Sequence, residues 1–142
     1  MLISIRRLHP SLPLPAYATD GAAAFDLAAA ADVVIQPGEV ALVPTGLVVT
    51  VPPGMFLAIL ARSSTPLKRG LMVANGMGVV DSDYCGEQDE VKIAVLNIRP
   101  TAVTVTAGDR IAQGLILAAP RVEWQETTGT SAPSRGGFGS TG

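Results

Sequence analysis

The sequence predicts an all-β fold, a sandwich or barrel of many short strands, on three observations. Short apolar runs rich in β-branched residues recur at spacings of roughly 8–12 residues. Turn punctuation separates them, at Pro37-Gly38-Glu39, Pro52-Pro53-Gly54, Asn75-Gly76 and Gly108-Asp109. Glycine and proline supply 15 and 11 of the 142 residues, a surplus that suits a fold with many turns.

Taken in order, the alanine-rich stretch Ala22 to Ala31 is helical by propensity alone, but its β surroundings make it strand and turn. Val33 to Ile35 and Val40 to Val43 flank the turn at Gly38, and Leu47 to Val51 and Met55 to Ala61 flank the one at Gly54. One helix is expected, of one or two turns, within Ser63 to Gly70. There a hydroxyl residue can cap, Pro66 suits the first helical position, Lys68 and Arg69 suit the last, and Gly70 can stop it. Val91 to Ile98 and Arg110 to Leu117 are further strand-like runs. Thr101 to Thr106 alternates Val103 and Val105 with polar residues, the period of a half-buried strand. From Thr127 onward the chain is dominated by Gly, Ser and Thr, with too little apolar surface to fold alone. The expected organisation is one β domain over 1–126 and a flexible tail over 127–142.

The composition excludes several chemistries. The chain has one histidine, His9, and one cysteine, Cys85. An internal disulfide is impossible, a Cys/His zinc site lacks ligands, and any His-based nucleophilic site would have to use His9, beside Pro10. Catalysis must lean on carboxylates, hydroxyls, arginines and backbone amides. The net charge of −2 argues against a nucleic-acid-binding face. No apolar run reaches the ~20 residues of a membrane span, the N-terminus lacks the features of a signal peptide, and a lone cysteine suits a reducing compartment. A cytoplasmic protein with no membrane or nucleic-acid partner is expected. A mean hydropathy of +0.39 with only 15% charged residues suggests apolar surface buried between subunits.

Four stretches can carry chemistry. Ala61-Arg62-Ser63-Ser64-Thr65-Pro66 reads either as a capped helix with a surface arginine or as an anion site, with free amides and a forked guanidinium. Asn75-Gly76 through Val79-Val80-Asp81-Ser82-Asp83-Tyr84 reads as a hairpin with acidic turn residues. Alternatively its backbone and Asn75 meet a base while a carboxylate orients water or a hydrated metal. In Gly108-Asp109-Arg110-Ile111-Ala112-Gln113, Gln113 is polar among apolar neighbours. It either needs a partner or faces solvent on an edge strand. The tail Arg135-Gly136-Gly137-Phe138-Gly139-Ser140-Thr141 is either a loose end or a segment that orders over a ligand, Phe138 stacking on a base.

Together, and in this order, these stretches resemble the trimeric dUTP diphosphatase (dUTPase) family. The family's five motifs match Tyr17-Ala18-Thr19 through Asp26-Leu27, Ala61-Arg62-Ser63-Ser64 through Gly70-Leu71, Gly78 to Tyr84, Gly108 to Gln113, and Gly137 to Gly142. The resemblance implies a jelly-roll-like β-structure and hydrolysis of dUTP to dUMP and pyrophosphate, which limits uracil incorporation into DNA and supplies dUMP. It implies Asp81 as the residue that activates water, Tyr84 beneath the deoxyribose, and Asn75 with the backbone of Val79 and Val80 at uracil. It places Arg62, Ser63, Ser64 and Gln113 on phosphates and Lys92 near the base pocket. Asp26 would contact hydrated Mg²⁺ through water. In the tail, Arg135, Phe138, Gly139 and Ser140 would close over the nucleotide. Relatives form homotrimers with sites between subunits. This chain departs from the commonest pattern by the additional Gln88-Asp89-Glu90, by Ala24 ahead of Phe25-Asp26, and by Arg135 directly before Gly136. Two alternatives share the fold: a dCTP deaminase, which relies on a glutamate, and a nucleotide-binding regulator without turnover.

Overall fold

The computed structural model describes residues 1–130, 132–137 and 139. Among them lie eleven strands: β1 (Ser4–Arg7), β2 (Phe25–Ala28), β3 (Val33–Ile35), β4 (Val40–Pro44), β5 (Leu47–Thr50), β6 (Met55–Ala61), β7 (Leu71–Val73), β8 (Gly78–Val80), β9 (Lys92–Asn97), β10 (Val103–Val105) and β11 (Arg110–Ala118). They pair antiparallel in four sheets, ordered β2-β11-β6-β8, β4-β9-β7, β1-β5 and β10-β3. The sheets do not close into a barrel, so that half of the expectation gives way to an open, layered arrangement. No helix among the described residues is long and apolar enough to cross a membrane.

One aliphatic core joins the sheets. Every strand from β2 to β11 gives it at least one buried residue, among them Leu27, Ile35, Val43, Leu57, Leu71, Ile93, Val105 and Ile111. These side chains carry no polar atoms to satisfy, and β-branched residues pack well on pleated surfaces. The buried polar residues are all bonded. Asn97 Nδ2 donates to Ile35 O and Thr101 O, each at 2.9 Å, while Thr45 Oγ1 donates to Val91 O at 2.6 Å and Thr65 Oγ1 to Ile111 O at 2.9 Å. Gly114 of β11 leaves space for an aromatic ring, since a Cβ there would stand 2.5 Å from Phe25.

Two local expectations need correction. The helical segment is only Thr65–Arg69, wound more widely than an α-helix, and neither serine caps it. Ser64 sits at the cap with φ −79° and ψ −16°, and its hydroxyl makes no capping bond. Side-chain capping needs an extended backbone at that residue, and a helical one turns the hydroxyl away from the free amides. The stop at Gly70 does form, with φ 66° and its N–H donating to Pro66 O at 3.2 Å. Asn75-Gly76 makes a tight turn, Gly76 N–H donating to Val73 O at 3.0 Å, but not a hairpin. The strands it joins enter different sheets, β7 pairing with β9 and β8 with β6.

An ion pair ties the helical turn to the β10–β11 turn. Arg69 grips both carboxylate oxygens of Asp109, with Nη2 to Oδ1 at 2.7 Å, and Thr106 N–H donates to Asp109 Oδ2 at 2.9 Å. The Arg69 hydrogen bonds, helped by the Thr106 amide, hold the Asp109 carboxyl below the ordinary carboxylate range. A lowered carboxyl stabilises the fold above its unfolded value of about 3.9, and that contribution disappears as pH falls through the folded value. Asp109→Asn should therefore lower the denaturation midpoint at pH 7. The gap to wild type should stay constant down to about pH 5 and shrink below about pH 4. Urea denaturation across pH checks this, and a gap unchanged at pH 3 would contradict it.

Candidate active site

The expected site residues gather in two places. The first lies where β2, β11 and the end of β6 meet. Arg110 pairs with Ala28, but Ala112 pairs with Leu27, so β11 carries a bulge at Ile111. Without the bulge Gln113 would face Phe25; with it, Gln113 lies directly opposite Asp26. Because Leu27 and Ala112 point into the core, Asp26 and Gln113 point out of it on the other face. β11 lies between β2 and β6, which removes the edge-strand alternative for Gln113, and Gln113 Nε2 donates to Ala61 O at 3.0 Å.

Asp26 sits between two guanidinium groups. Arg62 Nε meets Oδ1 at 2.7 Å and Arg110 Nη1 meets Oδ2 at 3.0 Å. Arg62 Nη1 also donates to Arg110 O at 3.0 Å, which locks the two arginines side by side. Two cations around one carboxylate leave a local positive charge, suited to an anion. Ala18, Asp26, Arg62, Ser63, Ser64 and Gln113 line a depression of about 380 Å³. Arg110 is a member that residue-by-residue sequence reading passes over. Only its place between Asp109 and Gln113 marks it.

The second region surrounds the end of β8. This strand is the outer strand of its sheet, paired only with β6 among the described strands, so its other backbone edge is open. Val79, Val80, Asp81, Tyr84, Glu90 and Lys92 line a second depression, also about 380 Å³. The Tyr84 hydroxyl donates to Glu90 O at 3.2 Å, and Lys92 Nζ lies 4.0 Å from Glu90 Oε2. Lys92 thus shares this depression with Asp81 and Tyr84, and Glu90 of the segment Gln88-Asp89-Glu90 is itself a lining residue.

The two regions lie at opposite ends of β6. Val80 pairs with Leu57, which carries Asp81 toward Phe56, whereas Arg62 follows Ala61 at the other end. Six residues of strand separate them by ~20 Å. Several expected residues join neither region. Asn75 is exposed on its turn, and Arg135 and Gly139 are exposed in the tail. Phe138 and Ser140 lie outside the described residues. His9, bonded through Nδ1 to Ser11 Oγ at 2.7 Å, lines neither depression, and Cys85 follows Tyr84 without itself lining the second.

Among the described residues no three His, Cys, Asp or Glu side chains converge to hold a metal. Asp26 could meet a metal only through water, because both its oxygens already face arginines, and bound phosphates would have to supply the charge that holds the ion there. That suits Mg²⁺, which keeps several waters and binds through one or two carboxylates plus substrate phosphates.

A family model for dUTPase matches residues 11–142. The chain belongs to the dUTPase family. It is 46% identical over 143 residues to the deoxyuridine 5'-triphosphate nucleotidohydrolase of Thermobifida fusca, covering 99% of this chain and 78% of that protein. It is 45% identical over 140 residues to the Caulobacter vibrioides protein of the same name, covering 94% and 88%. The crystal structure of dUTPase from Streptococcus mutans superposes with a TM-score of 0.78 at 30% identity, covering 86% of this chain and 98% of that one. The fold is therefore the jelly-roll-like dUTPase fold, and the chain is a dUTPase-family enzyme.

Proposed function

We propose that this enzyme hydrolyses dUTP to dUMP and pyrophosphate at a site completed between copies of the chain. The observation that carries the reading is the convergence of Asp26, Arg62, Ser63, Ser64 and Gln113 beside the Ile111 bulge, in a chain whose dUTPase match spans residues 11–142. Asp81 accepts a hydrogen bond from a water aligned with the α-phosphorus. As the water oxygen attacks, Asp81 takes its proton, and the bond from the α-phosphorus to the bridging oxygen breaks with its electron pair leaving on pyrophosphate. Arg62, Ser63, Ser64 and Gln113 hold the phosphates, so positioning and fixed charge supply much of the rate. When bound, Mg²⁺ would neutralise charge on the leaving pyrophosphate, with Asp26 meeting its water shell.

The open edge of β8 at Val79 and Val80 offers backbone donors and acceptors to uracil, and Tyr84 offers a ring beneath the deoxyribose. Cytosine would leave buried groups unpaired, at about 1–3 kcal/mol each. Asn75, Lys92 and the tail residues Arg135, Phe138, Gly139 and Ser140 complete the nucleotide's surroundings when the tail of 127–142 closes over the 1–126 domain.

The homotrimer that the family resemblance implies is supported by two features, both of which call for more than one copy of the chain. The ~20 Å between the Asp81 and Arg62 ends of β6 exceeds what one triphosphate chain can bridge, so one copy's Asp81 end would meet another's Arg62 end. In addition the β4-β9-β7 sheet exposes apolar side chains in register, with Val40 57%, Leu42 61% and Met72 47% exposed. A cyclic assembly would cover such a face. We place the enzyme in the cytoplasm, where a free Cys85 stays reduced.

Pyrophosphate release from dUTP, compared with the four standard deoxynucleoside triphosphates and with ammonia release from dCTP, tests the reading. Turnover of dUTP alone is expected. Ammonia from dCTP would point to a deaminase, and no turnover of any of them to a regulator.

A further inference from the structure

The three added residues Gln88-Asp89-Glu90 are folded into the protein. Glu90 is the second-to-last residue before β9 and its side chain is only 18% exposed. Its Oε1 accepts the Gly46 N–H at 2.7 Å. Gly46 is a fixed point: its φ is 66°, and a Cβ there would collide with Leu12. Backbone bonds lock the neighbouring residue, Val91 N–H donating to Leu47 O at 2.8 Å and Thr45 N–H to Val91 O at 3.2 Å. The start of the loop is held as well, by Gly86 N–H on Asp89 Oδ2 at 2.7 Å and Arg6 Nη2 on Glu87 O at 2.6 Å. From this anchored position the Glu90 carbonyl receives the Tyr84 hydroxyl, and Glu90 Oε2 faces Lys92 Nζ.

We infer that Glu90 is a positioning residue for substrate selection: its carboxylate pins the added loop to Gly46, and its carbonyl thereby sets where the Tyr84 ring stands. The inference rests on the proposed place of Tyr84 beneath the deoxyribose. The added segment then acts as a brace behind the sugar pocket, and the side-chain anchor at one end of Glu90 controls a hydroxyl contact at the other. A ring held at a fixed height discriminates against a 2′-hydroxyl; a ring free to shift admits it.

The chain has two tyrosines, Tyr17 and Tyr84, so incorporation of 3-fluorotyrosine gives two ¹⁹F signals. In Glu90→Ala the Tyr84 signal should shift or broaden while the Tyr17 signal stays in place. The preference for dUTP over UTP in kcat/KM should fall about tenfold, mostly through KM. Glu90→Gln keeps an oxygen for the Gly46 amide and should restore both readouts. Should Glu90→Ala not fold, Glu90→Asp withdraws the carboxylate by one methylene and should move the same signal. An unmoved Tyr84 signal together with an unchanged dUTP preference in a folded Glu90→Ala or Glu90→Asp protein would overturn the inference. So would loss of both in Glu90→Gln as severe as in Glu90→Ala. Wild-type turnover of dUTP is read separately and tests the underlying function, whereas the fluorine signals need no turnover.

Discussion

Asp81→Asn should lower kcat for dUTP by about 10²–10⁴-fold while dUTP binding stays within a few-fold of wild type. The amide keeps the shape of the carboxylate and can still hydrogen-bond a water, but it cannot take the proton as the water attacks. Replacing an exposed carboxylate by a neutral group also removes a negative charge from beside an anionic substrate, so binding has no reason to weaken. Single-turnover release of pyrophosphate, paired with calorimetric titration of a non-hydrolysable dUTP analogue, separates the two quantities. Turnover near wild type would remove Asp81 from the mechanism. Lost turnover with lost binding would make it a ligand contact instead.

Arg62→Ala should act differently, raising KM and lowering kcat together, with a loss in kcat/KM of about 10–100-fold. That is the worth of one charge-assisted hydrogen bond of about 1.5–3 kcal/mol. The substitution also leaves Asp26 paired only with Arg110, and a less neutralised carboxylate repels phosphate. Arg62→Lys should recover only part of the loss, because an ammonium cannot meet Asp26, the Arg110 carbonyl and a phosphate from one planar fork. Full recovery with lysine would show that charge alone matters at this position.

The sequence made much of the fold legible because its strands announce themselves through local pattern. Val33–Ile35 and Met55–Ala61 appear in the structure with the boundaries their apolar runs suggest, and the alternation of Val103 and Val105 does mark a strand. What escaped depends on partners distant in sequence. β1 carries two arginines and mostly exposed side chains, and it is a strand because its backbone pairs with β5. β7 and β8 are three residues each, and their separation into different sheets overrides the Asn-Gly signal between them.

The candidate site divides the same way. Residue types and motif order single out Asp26, Arg62, Ser63, Ser64 and Gln113, and the structure brings these five together. The device that unites them, a bulge at Ile111 that turns Gln113 to face Asp26, leaves no trace in composition or periodicity. Arg110 and Glu90 are invisible for a related reason. One works through an ion pair across 84 positions of sequence, the other through an amide 44 positions away.

The central claim is that Asp81 and Arg62 act on one substrate from different copies of the chain. Co-expression of Asp81→Asn and Arg62→Ala chains, each with a distinct tag, tests it directly. Mixed trimers purified through both tags should regain about a third of wild-type dUTP turnover, because each has one of its three interfaces at which an intact Asp81 meets an intact Arg62. If both residues serve the substrate from one chain, no site in the mixture is whole. Turnover in verified mixed assemblies no greater than that of the two variants alone would contradict the claim.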